Sequence, residues 1–186
     1  MVYAMVASMV MITAGSAVVA DHPNDIDETE LKPGEHVAGV VNVIDAEFAG
    51  EIETRSFGFR IEEAGAPDAQ AHVAVDQLAN IEHRLTEIEE QHEALAEAKE
   101  TGAISTGKYK AEMARLDTER ANVARLADQS QQTINELPTD VREQHNVSEE
   151  TVGELQEWAA ELGGETIAEI AREIAGVQVN HDFSHD

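Results

Sequence analysis

The last residues of the chain, His181-Asp182-Phe183-Ser184-His185-Asp186, carry two imidazoles and two carboxylates side by side. Imidazole nitrogen and carboxylate oxygen are ligands for zinc, copper and nickel, so His181, Asp182, His185 and Asp186 form a candidate divalent-metal tail. The competing reading is a terminus whose ligands are never held in one geometry, and it carries more weight because no helical or strand pattern brackets the four groups. No cofactor is expected apart from the divalent metal of the first reading.

Other chemical signals are weaker. Gly102-Ala103-Ile104-Ser105-Thr106-Gly107-Lys108 matches the opening of a phosphate-binding loop, G-x-x-x-x-G-K, but the next residue is Tyr109 where a magnesium-holding Ser or Thr belongs. A strand should precede such a loop, whereas a long amphipathic helical pattern does. The same residues suit a helix–helix turn, with Gly102 ending one helix and Ser105 or Thr106 capping the next. Asn146-Val147-Ser148 is an N-glycosylation acceptor pattern at Asn146, although Ser148 also has the position of a helix N-cap. His92 falls on an apolar seam and reads as a tolerated interruption rather than a ligand. Glu87, Glu89, Glu90 and Glu93 read as a solvated face, since nothing fixes a cation geometry among them. No His-Glu-x-x-His, Gly-x-Ser-x-Gly or dinucleotide fingerprint occurs. The expectation is therefore a protein that is not an enzyme.

Composition narrows the partners. The 186 residues hold 38 acidic and 12 basic side chains, a formal net charge of -26, so binding of nucleic acid through a basic face is excluded. Cysteine is absent, which removes disulfides, thiolate metal sites and a thiol nucleophile. Such self-repulsion destabilises a compact chain in dilute buffer, and at about 1 M salt a Debye length of roughly 3 Å screens most of it. A hydrophobic fraction of 42% in periodic order argues against wholesale disorder, so the acidity reads as adaptation to salty solvent.

The elements that must carry these groups follow from periodicity. Val2 to Ala20 holds no charged side chain, and Val18 and Ala20 suit the -3 and -1 positions of a signal-peptidase site. Residues 1–20 are thus a cleaved signal peptide or an uncleaved membrane anchor, and the membrane enters only through them. Residues 21–35, acidic and interrupted by Pro23 and Pro33, read as a linker. Over 36–63, Val37, Val40, Val41, Val43 and Ile44, followed by alternating Phe57, Phe59 and Ile61, predict a small β-hairpin that turns near Ala49-Gly50.

From Ala74 the spacing becomes helical. Ala74, Leu78, Ile81, Leu85, Ile88, His92 and Leu95 repeat at four and three, and so do Tyr109, Met113, Leu116, Arg120, Val123, Ala127, Ser130, Ile134 and Leu137. Two such seams with a short connection predict an antiparallel helical hairpin over 67–137. Over 138–176 two short helices follow, through Val152, Leu155 and Ala159 and through Ile167, Ile170 and Ile174, and they should cap one end of the hairpin. Residues 177–186 read as a flexible tail. The fold class expected is mainly α, a long coiled-coil-like antiparallel hairpin with short C-terminal helices and a small N-terminal β-hairpin.

Several stretches resemble a group of uncharacterised proteins exported by haloarchaea: Pro33-Gly34-Glu35-His36-Val37-Ala38-Gly39-Val40-Val41, Gly50 to Gly58, Thr101 to Ser105 with Tyr109, and Ala168 to Gly176. The resemblance implies an organism class and export, and no functional residue. Together the readings give an exported, salt-adapted, non-enzymatic structural or protein-interaction protein of the cell surface or envelope, which self-associates or binds a protein partner. An extracytoplasmic metal-binding protein using the His/Asp tail is the alternative.

Overall fold

A computed structural model of the chain describes residues 32–164 and Ile170. Three long helices follow one another: α1 Pro33–Ala64, α2 Pro67–Glu100 and α3 Thr106–Glu136. Each is about 50 Å long at 1.5 Å per residue. Two short helices follow, α4 Thr139–Gln144 and α5 Glu149–Glu161. Among the described residues there is no strand.

The expected β-hairpin over 36–63 is therefore wrong: the segment is the body of α1. Its β-branched residues favour strands only weakly, and tertiary packing overrides such preferences. The inward face of α1 is made by Gly39, Ala46, Gly50 and Phe57, which are buried at helical spacing. The alternation of Phe57 and Phe59 is not a strand face, since Phe57 is fully buried while Phe59 is 68% exposed. Pro33 also begins α1 rather than ending a linker, because a proline at the first helical position loses no needed N–H. The Lys32 amide donates to the Glu35 carboxylate at 3.3 Å, satisfying a free donor at that helix start.

Gly65, at φ 64, and Ala66 reverse the chain, and Pro67 opens α2. The hairpin of α2 and α3 is present as expected. Leu78, Ile81, Leu85 and Ile88 of α2 share one core cluster with Val123, Leu126, Ala127 and Ile134 of α3. Its turn is a helix–helix connection: Gly102 has φ 70, and the Ser105 hydroxyl accepts from the Lys108 amide at 3.1 Å as the N-cap of α3.

The pair is not alone, and this changes the architecture. α1 runs alongside α3 in the same direction and antiparallel to α2, giving three long helices with α3 buried on several sides. Close approach of α1 to α3 depends on missing side chains. A Cβ on Gly50 would overlap the Asn122 amide, and one on Gly107 would overlap the Glu35 carboxylate. Asn122 is 1% exposed; its Nδ2 donates to the Ala46 carbonyl of α1 at 2.7 Å, and its Oδ1 accepts from Arg125. Such a bond matters because a buried amide left unpaired costs about 1–3 kcal/mol.

The helix over 149–161 lies along the flank of α3 rather than capping the end of the hairpin. Ser148 caps it, accepting from the Thr151 amide at 3.1 Å, and Val152, Leu155 and Ala159 bury against the core. Arg120, the charged member of the α3 seam, bonds Asp117 and donates to the Ala159 carbonyl of α5 at 3.3 Å. Gly163 makes room for that guanidinium, since its Cβ would fall 2.6 Å from the Arg120 Cζ. The helix expected around Ile167 and Ile174 lies outside the described residues, as do the segments 1–20 and 177–186.

Candidate interaction surface

The outward face of α1 has no counterpart elsewhere in the described residues. Val37, Val41, Ile44, Phe48, Ile52 and Phe59 are all large, apolar and between 49% and 68% exposed. They are the exposed large hydrophobic residues of the described chain, and one helix carries all six. Their spacing, with Arg55 in the same row, is four, three, four, four, three, four. At 3.6 residues per turn these positions stack into one stripe about 33 Å long.

The sequence puts this stripe outside for a packing reason. The opposite face of α1 offers glycine and alanine, which let backbone approach backbone, and α3 answers with Asn122 and Gln129. Two polar clamps hold that orientation on the α2 side: Arg84 pairs with Glu53, and Arg60 donates to the Gln77 amide oxygen at 2.6 Å. Turning the stripe inward would replace these fits with side chains too large for the gap.

Charge is sparse along the first half of the stripe. No Asp, Glu, Lys or Arg stands between Glu35 and Asp45. Farther along, Arg55 is tied to Glu51 by bonds of 3.0 and 2.6 Å on the same helix. Around Phe48 and Ile52, with Glu47, Glu51 and Arg55 at the margins, the surface forms a shallow depression of about 560 Å3. Contiguous apolar surface above a few hundred Å2 marks an interaction site in a protein otherwise solvated by charge. The six apolar side chains carry no reactive group, and free energy is gained along the stripe by losing water.

The groups singled out from the sequence fare differently. His181, Asp182, His185 and Asp186 lie outside the described residues. Asn146 is exposed in the link between α4 and α5 at φ 53, while Ser148 is engaged as the cap of α5. The Gly102–Lys108 stretch joins two helices and holds Ser105 against Glu35, whose carboxylate accepts from the hydroxyl at 2.5 Å. That bond, assisted by the Lys32 amide and charge, outweighs desolvation and holds the Glu35 pKa below its ordinary value. His92 is half-buried beside Tyr109, Met113 and Leu162, and its Nε2 has no protein partner. Glu87, Glu89, Glu90 and Glu93 are exposed along α2, and no group of three metal-ligating side chains is found among the described residues. On α3, partial burial works against the Arg115 charge, but Glu112 and Glu119 more than compensate and raise its pKa.

The stripe itself was the signal that strand-like composition obscured. Its period was visible in the residue numbers, since 37, 41, 44, 48, 52, 55 and 59 never depart from helical spacing. None of the helices among the described residues is long and apolar enough to cross a membrane. No protein-family model matches the chain, and neither a curated protein nor a solved structure matches it.

Proposed function

We propose that the protein is a non-enzymatic interaction protein whose working surface is the outer face of α1, held out by the α2–α3 hairpin. It acts outside the cytoplasm, at the cell surface or in the envelope, in salty surroundings. One observation carries the reading: six large apolar side chains stand in a single row on a chain of formal charge -26. Solvating that row is unfavourable by roughly 25 cal/mol for each Å2 of apolar area, so a partner that covers it has a substantial gain available. The uncharged segment Val2–Ala20 supports export, and the acidity supports life in molar salt.

Photo-crosslinking in intact cells of the source organism tests the docking role. A benzophenone amino acid at position 48 should give a discrete adduct, whereas one at position 89, on the acidic outer face of α2, should not. The adduct should vanish when Ile44→Ser and Ile52→Ser are introduced together. Equal labelling at both positions, or none at 48, overturns the reading.

A further inference from the structure

The order of residues in the stripe says what covers it. Counted outward from Phe48, the row is the same in both directions: four residues to Ile44 and Ile52, three more to Val41 and Arg55, four more to Val37 and Phe59. A two-fold axis through Phe48, perpendicular to α1, therefore brings every member of the row against another member. Each half spans 11 residues, close to three full helical turns, so the row runs nearly straight along the helix and stays in contact over its length. Isologous pairing of this kind is the commonest way in which one surface satisfies itself.

We infer that the occupant of the α1 stripe is a second copy of this chain, docked antiparallel with Phe48 of each copy on the two-fold axis. This rests on the reading of that face as a docking surface and names its partner. Ile44 then lies opposite Ile52, and Val37 opposite Phe59, so small meets large at both ends. Arg55 lies opposite Val41, where its aliphatic stem packs while its guanidinium stays on Glu51 of its own helix. A parallel pair is disfavoured by the same row, because it sets Arg55 of each copy against the other at the interface.

Area and charge agree with this occupant. The exposed parts of the six apolar side chains amount to on the order of 700 Å2 per copy, near the roughly 800 Å2 per partner of a standard stable interface. At each end of the contact the charge-free run from His36 to Ile44 faces the segment from Ile52 to Arg60 of the second copy, so its row members meet Ile52, the Arg55 stem and Phe59. Glu47 sits beside the axis, so both copies bring a carboxylate to one rim, and two chains of charge -26 repel as wholes. Pairing is therefore driven by apolar burial against electrostatic repulsion, and salt strengthens it.

The test is the mass of the purified full-length chain by sedimentation, followed from about 0.1 M to about 1 M salt, over which the Debye length shrinks from about 10 Å to about 3 Å. The dimer fraction should rise with salt. Phe48→Ser, which removes both axial rings from each dimer, should weaken association at least about a hundredfold while leaving the helical circular-dichroism signal unchanged. Geometry is read with single cysteines, which the native chain lacks. A short bismaleimide should bridge Val37→Cys to Phe59→Cys in a mixture of the two variants, and Phe48→Cys to itself. Val37→Cys alone should not bridge, since the two sites lie about 33 Å apart in the antiparallel pair. Self-bridging at Val37→Cys, or a monomer at every salt, overturns the inference. A monomer whose position 48 still crosslinks to another protein in cells overturns the dimer and leaves the docking role standing. A monomer whose position 48 bridges only to the chain's own residues 2–20 overturns both.

Discussion

α1 and α3 run side by side in the same direction, and they spend their apolar residues in opposite ways. α3 turns Leu116, Val123, Leu126 and Ile134 inward, and buries Asn122 and Ser130 as well. α1 turns glycine, alanine and one phenylalanine inward and leaves six large apolar residues in water. The difference follows from the gap that each must fill. Facing α2 and α5, α3 meets wide side-chain layers, so bulk is needed. Facing α3, α1 meets the Asn122 amide, and only a residue without a side chain fits at Gly50. Hydrophobic periodicity thus marks a helix, while residue size decides which of its faces is buried.

Two phenylalanines two positions apart make the sharpest test of this contrast. Phe57→Ala should cost about 3–5 kcal/mol of unfolding free energy, because the ring is fully buried in the main core cluster. Phe59→Ala should change stability by less than about 0.5 kcal/mol when measured at low protein concentration, where association contributes nothing. Denaturant unfolding of both variants decides the matter, and equal losses would mean that α1 is rotated relative to the described arrangement.

A medium effect is expected where the two helices touch. Gly50→Ala gains about 1 kcal/mol of helix propensity but displaces Asn122 and breaks its bond to Ala46, for a net loss of about 2–3 kcal/mol. In an Asn122→Ala background the obstruction is gone, and the same substitution should be neutral or stabilising. A double-mutant cycle should therefore report a coupling of about 2–4 kcal/mol, and strict additivity would show that Gly50 and Asn122 do not meet.

Legibility from sequence divided along the same line. The α2–α3 hairpin was readable because its seams repeat at four and three with Leu and Ile at the repeating positions, and Leu78 to Ile88 and Met113 to Ile134 are buried as that spacing requires. Ser148 was readable as a cap, and Ser105 as one of two candidates with Thr106, because a hydroxyl at a helix start has one well-placed donor to accept from. α1 was misread for two reasons. Its valines carry strand preference, and its inward positions, Gly39, Ala46 and Gly50, are too small to register as a hydrophobic face. The exposed apolar stripe went unseen with it, since alternation at 57, 59 and 61 suggested period two while the whole run from Val37 to Phe59 kept helical spacing. The role of Asn122 has no local signature, because its partner is 76 residues away in the chain.

A smaller loss than at Phe57 or Gly50 is expected at the other end of the α1–α3 contact, where Ser105 meets Glu35. Ser105 accepts from Lys108 as the α3 cap and donates to Glu35 of α1, so one hydroxyl joins both helix starts. Ser105→Ala should cost about 1 kcal/mol through the lost cap. The Glu35 titration reports the second bond separately. Its pKa, followed by carbon NMR of the side chain, should lie below the ordinary carboxylate value in the native chain and move up toward it in Ser105→Ala. The sign of the linkage is fixed by that direction: a carboxyl with a depressed folded pKa contributes stability that is present above its unfolded pKa and lost as pH falls through the folded one. Acidification should therefore narrow the stability gap between the native chain and Ser105→Ala, leaving the loss due to the cap. Glu35 is only partly covered, so the narrowing should be slight and should weaken further in molar salt. An unshifted Glu35 titration in both chains would mean that the two helix starts are held together by the Gly107 close approach alone.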